Sequence, residues 1–215
     1  MLTQLRRSAI FCLICLVIFG LAFPLLGVGL SQLFFKHQAD GSLTAGGSTL
    51  IGQNWSQTPC PGHPLGSCVF QGRPDAVGPY AGSSSPAAGG GDNPLEANNI
   101  PGKPAVLNSG ESGASNLGPR SKVLVSNTQA LVAYWHARGV APTPDLVTTS
   151  GSGYDPDITA ADATAEIPMV AKATGLSPSV LQALIARENN GAQWGFLGSS
   201  YIDVLQLNEA LAKLR

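Results

Sequence analysis

The chain has 215 residues, a formal net charge of −1 and only 12% charged residues. Beyond residue 35, 13 acidic residues stand beside ten basic ones with no basic stripe, which excludes an electrostatic footprint for nucleic acid. Gly and Pro number 26 and 16, which points to long loops in a chain that is neither disordered nor fibrous.

Residues 8–35 carry no charged side chain and are bracketed by Arg6-Arg7 and Lys36-His37. A helix over this run reaches about 42 Å, against a hydrocarbon core of ~30 Å. Backbone polar groups in lipid must pair within the segment, so 8–35 is expected to be one spanning helix. A cleavable signal peptide is the alternative. It would use Arg6-Arg7 as basic region, 10–19 as apolar core and Gly20-Leu-Ala as cleavage site. The apolar run continues through Leu25, Leu26, Val28, Leu30 and Leu33, which a retained helix needs and a signal does not. Cys12 and Cys15 follow Phe11 and Ile14, not the small residues a lipoprotein site requires.

Arg6, Arg7 and the terminal amine precede the helix, while Lys36 follows it with Asp40 nearby. The positive-inside rule then places 1–7 in the cytoplasm and 36–215 outside, as an extracytoplasmic domain. Within the helix, Gly20, Pro24, Gly27 and Ser31 recur at helical spacing on one stripe. Small residues on a stripe let a partner helix approach closely. The competing reading is that Gly and Pro are simply common in membrane helices.

The tail is long enough for one domain with a core. Cys60 and Cys68 read as a disulfide if the tail is exported. A metal site from Cys60, His63 and Cys68 lacks a fourth ligand and the usual spacing. Residues 48–55 and 68–71 are strand-like, and Gly72-Arg-Pro reads as a turn. Residues 79–109, rich in Gly, Ser, Pro and Asn, bury too little to offset their ordering entropy and read as a loop insertion.

Further on, 127–138 has a helical pattern ending at Gly139, and Leu146-Val-Thr-Thr is strand-like. Thr159 and Asp162 look like an N-terminal capping signal, after which Pro168 is expected to break or kink the helix. Ser177-Pro178 opens a helix whose apolar face is Leu181, Leu184 and Ile185. Asp203 caps a last one, with Val204, Leu207, Leu211 and Leu214 on a face. The fold class is α+β: one N-terminal transmembrane helix, then a small mixed domain that is helix-rich in its C-terminal half.

No chemistry stands out. There is no G-x-x-x-x-G-K-[ST] loop, no Asp-Lys-Thr-Gly-Thr phosphorylation motif, no G-x-S-x-G and no H-E-x-x-H. His37, His63 and His136 are scattered, and Asp155-Pro-Asp157 reads as a turn rather than a cation site. Neither a catalytic nor a metal residue is assigned.

Taken in order, eight segments resemble the C subunit of the Kdp-type high-affinity potassium-transporting ATPase. They are Phe23-Pro-Leu-Leu, His37-Gln-Ala-Asp-Gly-Ser-Leu, Gly47-Ser-Thr-Leu-Ile-Gly-Gln-Asn-Trp and Gly72-Arg-Pro-Asp-Ala. Ser112-Gly-Ala-Ser-Asn-Leu-Gly-Pro, Asp145-Leu-Val-Thr-Thr-Ser-Gly-Ser-Gly-Tyr-Asp, Ile167-Pro-Met-Val-Ala-Lys-Ala and Asp203-Val-Leu-Gln-Leu-Asn-Glu-Ala-Leu complete the set. Each is weak alone; their order over nearly the whole chain is specific.

The resemblance implies a non-catalytic accessory subunit in the inner (plasma) membrane, single-pass, with a periplasmic domain. Its partners would be a potassium-translocating A subunit, an ATP-hydrolysing B subunit and a small F subunit, within membrane lipid. The complex would use ATP, Mg and potassium, none of them a cofactor held by this chain. The family's C subunit is needed for assembly and described as a catalytic chaperone of the ATP-hydrolysing subunit. The family often shows a Gln, linked to nucleotide, and an Arg where this chain has Glu166 and Met169. Two alternatives stay open: a direct nucleotide-binding regulator, and an anchored extracytoplasmic domain of unrelated role.

Overall fold

The computed structural model describes residues 2–53, 55–56, 58–74, 114–152 and 154–215. The insertion read at 79–109 lies outside the described residues. The chain forms two compact units, Met1–Ser48 and Thr49–Arg215.

In the first unit, helix α1 (Leu2–Val17) runs into a π-turn (Ile18–Ala22) and then α2 (Phe23–Phe34). The whole run Leu2–Phe34 is long and apolar enough to cross a membrane and buries none of its residues. The wide turn sits just before Pro24, where Phe23 N–H bonds back to the Ile18 carbonyl. Pro24 has no N–H of its own, so the ladder is locally re-registered rather than broken. A short helix α3 (Lys36–Ala39) and a hairpin of β1 (Leu43–Thr44) with β2 (Gly47–Ser48) complete the unit.

Among its described residues the second unit is built on four α-helices. Helix α4 (Lys122–Ala137) starts earlier than the periodicity predicts, because Ser121 Oγ accepts from the Leu124 amide as its cap. It ends in a Schellman turn: Gly139, at φ 76°, donates to His136 O and Val140 donates to Trp135 O. Buried Leu131, Tyr134 and Trp135 form its inner face.

The segment after Pro144 is a 3₁₀ turn, Asp145–Val147, where the sequence suggests a strand. Pro144, at φ −55° and ψ −37°, already starts the chain in the helical region, and Val147 N–H bonds Pro144 O. The Leu146 carbonyl accepts from the Trp135 indole at 2.9 Å, so no ladder is needed.

Helix α5 (Ala160–Thr174) opens on a capping box between Thr159 and Asp162 and stops at Gly175, φ 75°. It runs through Pro168 as one helix, so of the expected break or kink the break does not occur. Pro168 lies on the exposed face, where water can take the freed carbonyl of the preceding turn. Helix α6 (Pro178–Glu188) is capped by Ser177 and buries Leu181, Leu184 and Ile185. Strand β4 (Ile202–Asp203) pairs antiparallel with β3 (Asp157–Ile158) and leads into α7 (Val204–Ala212), capped by Asp203. Leu214 lies past the end of α7 and is 43% exposed, so it leaves the face that Val204, Leu207 and Leu211 share.

One core joins these helices, centred on fully buried Trp135, Phe70, Leu146, Leu181 and Leu207. Residues 68–71 enter it without forming a strand. Their backbone groups are paired by side chains: Asn208 takes both groups of Phe70, and Glu166 takes the Gln71 amide. Among the described residues helices predominate over two small two-stranded sheets, which makes the fold α+β.

Candidate functional site

Three elements meet around a cleft of about 430 Å³ in the second unit. The first is the loop closed by Cys60 and Cys68, which are joined as a disulfide with Cα atoms 5.7 Å apart. Gly62 and Gly66 take positive φ inside it, and a Cβ on Gly66 would lie 2.8 Å from Ser56 O. These tight turns bring His63 and Ser67 to the rim. The second element is the C-terminus of α4, which supplies His136 and Arg138. The third is the α5 segment holding Pro168, Met169 and Lys172.

The cleft is basic by construction. The Arg138 guanidinium lies 3.6 Å over the Tyr134 ring, and Nη1 donates to the Tyr134 carbonyl at 3.3 Å. Lys172 occupies the last turn of α5. Both cations therefore sit where helix dipoles favour positive charge. Ser67 Oγ is buried without a hydrogen-bond partner, and among the described residues no carboxylate lines the cleft. Such a lining can hold an anionic group. Among the described residues no hydrogen bond pairs Ser67 with a lining His as nucleophile and base.

The two residues marked by the family resemblance part company here. Met169 lines the cleft, while Glu166 lies fully buried away from it. Glu166 Oε2 accepts from Gln71 N–H at 2.9 Å and Oε1 has no partner. Burial pushes its carboxyl well above the ordinary 4.5; the Gln71 bond opposes this and Asp162 adds to it.

On another face, Arg73 meets Asp155 at 3.3 Å and Asp145 at 3.8 Å; Asp155 Oδ1 accepts from Asp157 N–H at 3.2 Å, and Asp157 already belongs to β3. Asp157 opposes Asp203 across the β3–β4 pair. Burial, then Asp155 and Asp203, raise the Asp157 carboxyl from 3.8 to about 6. Gly20, Pro24 and Gly27 lie exposed along the Leu2–Phe34 helix with Ser31 half-buried, and among the described residues nothing lies within 4 Å of a Cβ built on Gly27. Among the described residues no three His, Cys, Asp or Glu side chains converge as metal ligands would.

Sequence reading missed the cleft because its basic groups are far apart in the chain. His63, His136, Arg138 and Lys172 share no motif. The one local signal is the pair of basic residues at the C-terminus of α4, which reads equally well as a helix stop.

Comparison with known proteins gives the family. A family model described as K+-transporting ATPase, c chain (KdpC) matches residues 5–213. A potassium-transporting ATPase KdpC subunit of Rhodopseudomonas palustris (strain TIE-1) is 38% identical, covering 98% of this chain and 97% of its own. Those of Methylorubrum populi (strain ATCC BAA-705 / NCIMB 13946 / BJ001) and Gloeobacter violaceus (strain ATCC 29082 / PCC 7421) are 37% and 34% identical. They cover 100% and 99% of this chain and 98% and 95% of their own. A match over nearly every residue, with the membrane helix and the folded domain both inside it, makes this chain a member of the KdpC family, the c chain of K+-transporting ATPases.

Proposed function

We propose that this chain is a non-catalytic accessory subunit of an ATP-driven potassium uptake pump, needed for assembly and for coupling ATP use to transport. The observation that carries the reading is the end-to-end match to potassium-transporting ATPase subunits by a chain with one apolar helix and a compact domain. The Leu2–Phe34 helix packs its Gly20, Pro24, Gly27 and Ser31 stripe against a helix of the pump. The domain braces a partner surface by shape and contact. The partners are the potassium-translocating A subunit, the ATP-hydrolysing B subunit and the small F subunit. The flanking charges support an inner-membrane protein with its N-terminus cytoplasmic and its domain periplasmic.

The test is co-purification with the neighbouring subunits followed by a potassium-stimulated ATPase assay. Deleting the tail after Phe35 is expected to abolish coupled transport. Full coupling by the truncated chain would refute the contact role.

A second reading, a nucleotide-binding regulator, draws support from the cleft, whose cationic lining suits a phosphate. It requires the domain to meet ATP, so the side of the membrane decides between them. A cysteine engineered in the tail and labelled from outside in intact cells supports the contact reading. Labelling only after the cells are opened supports the regulator.

A further inference from the structure

Between α6 and β4 the chain leaves the core as a hairpin, closed by the bridges Asn190 to Tyr201 and Gln193 to Leu197. Its tip presents Trp194, 85% exposed, and Phe196, 73% exposed, with Leu197 beside them. No residue from 189 to 201 carries a formal charge. The tip is also strained. Trp194 and Gly195 take φ values of 52° and 81°, with Phe196 N–H bonding back to Gln193 O. Turn chemistry gives the first such position to Asn, Asp or Gly; a bulky ring there is costly and points to something outside the fold that the ring contacts.

The chain coming from the apolar helix joins the second unit close to the base of this hairpin. The helix ends at Phe34 and the unit begins at Thr49, so the intervening residues span at most about 50 Å. Just inside the unit, Gly52 N–H bonds Tyr154 O, and Gly52 is pressed so closely on the Asp155 backbone that a side chain would clash. Asp155 lines the same cavity as Ser199, Ser200 and Tyr201, the returning arm of the hairpin. Leu50 and Ile51, beside Gly52, are exposed as well. The short tether thus enters the domain where its uncharged aromatic finger departs.

We propose that the Trp194–Phe196–Leu197 tip is a second membrane contact, seated in the interfacial layer of the bilayer that the Leu2–Phe34 helix crosses. Tryptophan favours that layer, with its ring in the apolar boundary and its N–H toward water. An uncharged tip suits a zwitterionic lipid surface. The proposal rests on the helix being a retained membrane anchor, and on neither orientation of it.

The test uses the full chain in phosphatidylcholine bilayers, alone and within the assembled pump, with bromine placed on the acyl chains. Trp55 and Trp135 remain in Trp194→Phe, so the emission difference between parent and variant isolates Trp194. That difference is expected to fall at least about twofold with bromines near the headgroup, and less with bromines near the chain end. Equal quenching of parent and variant would overturn the proposal, and so would quenching that disappears on pump assembly, which would make the tip a subunit contact. Phe19→Trp separates the two failures: if it is quenched while Trp194 is not, the anchor stands and only the finger fails. If Phe19→Trp is not quenched, the anchor reading is lost and this proposal with it.

Discussion

The Asn208 carboxamide pairs with both backbone groups of Phe70, 138 residues away: Phe70 N–H donates to Oδ1 at 2.8 Å and Nδ2 donates to the Phe70 carbonyl at 2.9 Å. One side chain here does what a neighbouring strand does elsewhere. It fixes the segment beyond the disulfide loop to α7, with both partners buried. Asn208→Leu strands two backbone groups in the core and is expected to cost about 3 kcal/mol. Urea unfolding of the full chain in detergent reads this as a lower midpoint at unchanged slope. A shift near zero would show that water reaches the Phe70 backbone.

Glu166 gives a pH-dependent outcome. Its folded carboxyl holds a proton well above 4.5, where the unfolded chain has released it. Stability contributed by this group therefore falls as pH rises past 4.5. Glu166→Gln keeps an oxygen for the Gln71 amide and removes the ionisation. The variant is expected to gain on the parent in thermal midpoint as pH rises from about 4 to about 7. On the contact reading it leaves the pump's apparent ATP affinity unchanged; a tenfold tightening, about 1.4 kcal/mol, would favour the nucleotide regulator.

Asp157 behaves in the same direction over a narrower window. Raised from 3.8 to about 6, it holds its proton between those values while the unfolded chain does not. Stability falls as pH rises through that interval, because burial penalises the ionised form, and Asp155 and then Asp203 across the β3–β4 pair repel it. Asp157→Asn is expected to flatten that part of the stability profile, measured by thermal melts across it. An unchanged profile would show that other groups carry the acid dependence.

The small stripe of the membrane helix makes a different kind of prediction. Gly27→Leu combined with Gly20→Leu is expected to reduce recovery of the assembled pump while the chain still inserts in membranes. Co-purification against membrane-extracted chain separates the two effects. Full recovery of active complex would show that the helix meets lipid on that face.

Cys60 and Cys68 close a short loop, worth about 2.5 kcal/mol on the chain-entropy account. Mass spectrometry of unreduced protein is expected to link their two peptides. The double Cys→Ser variant is expected to loosen the loop that carries His63 and Ser67 to the cleft, seen as faster proteolysis there. Free thiols in freshly isolated protein would also weigh against an exported domain.

The legible parts of the fold are those written in local chemistry. Thr159 with Asp162, Ser177 before Pro178, and Asp203 each announce a helix start within four residues, and each cap forms. The 8–35 apolar run announces a helix by length alone. What was not legible depends on partners distant in sequence. Apolar 68–71 looks like a strand until Asn208 and Glu166 are known to pair its backbone. Leu146-Val-Thr-Thr has strand composition, yet Pro144 and the Trp135 indole decide otherwise. The basic cleft is of the same kind, assembled from three elements with no shared motif.

The π-turn at Ile18–Ala22 has a consequence beyond shape. Pro24 offers no amide, and the Phe23 N–H reaches back five residues to the Ile18 carbonyl as the ladder shifts register around it. In water a lost backbone bond would be trivial; in hydrocarbon it would cost several kcal/mol, and no solvent molecule would relieve it. The wide turn is thus a chemical accommodation: the re-registering of backbone bonds lets a proline stand inside a run of lipid-spanning length.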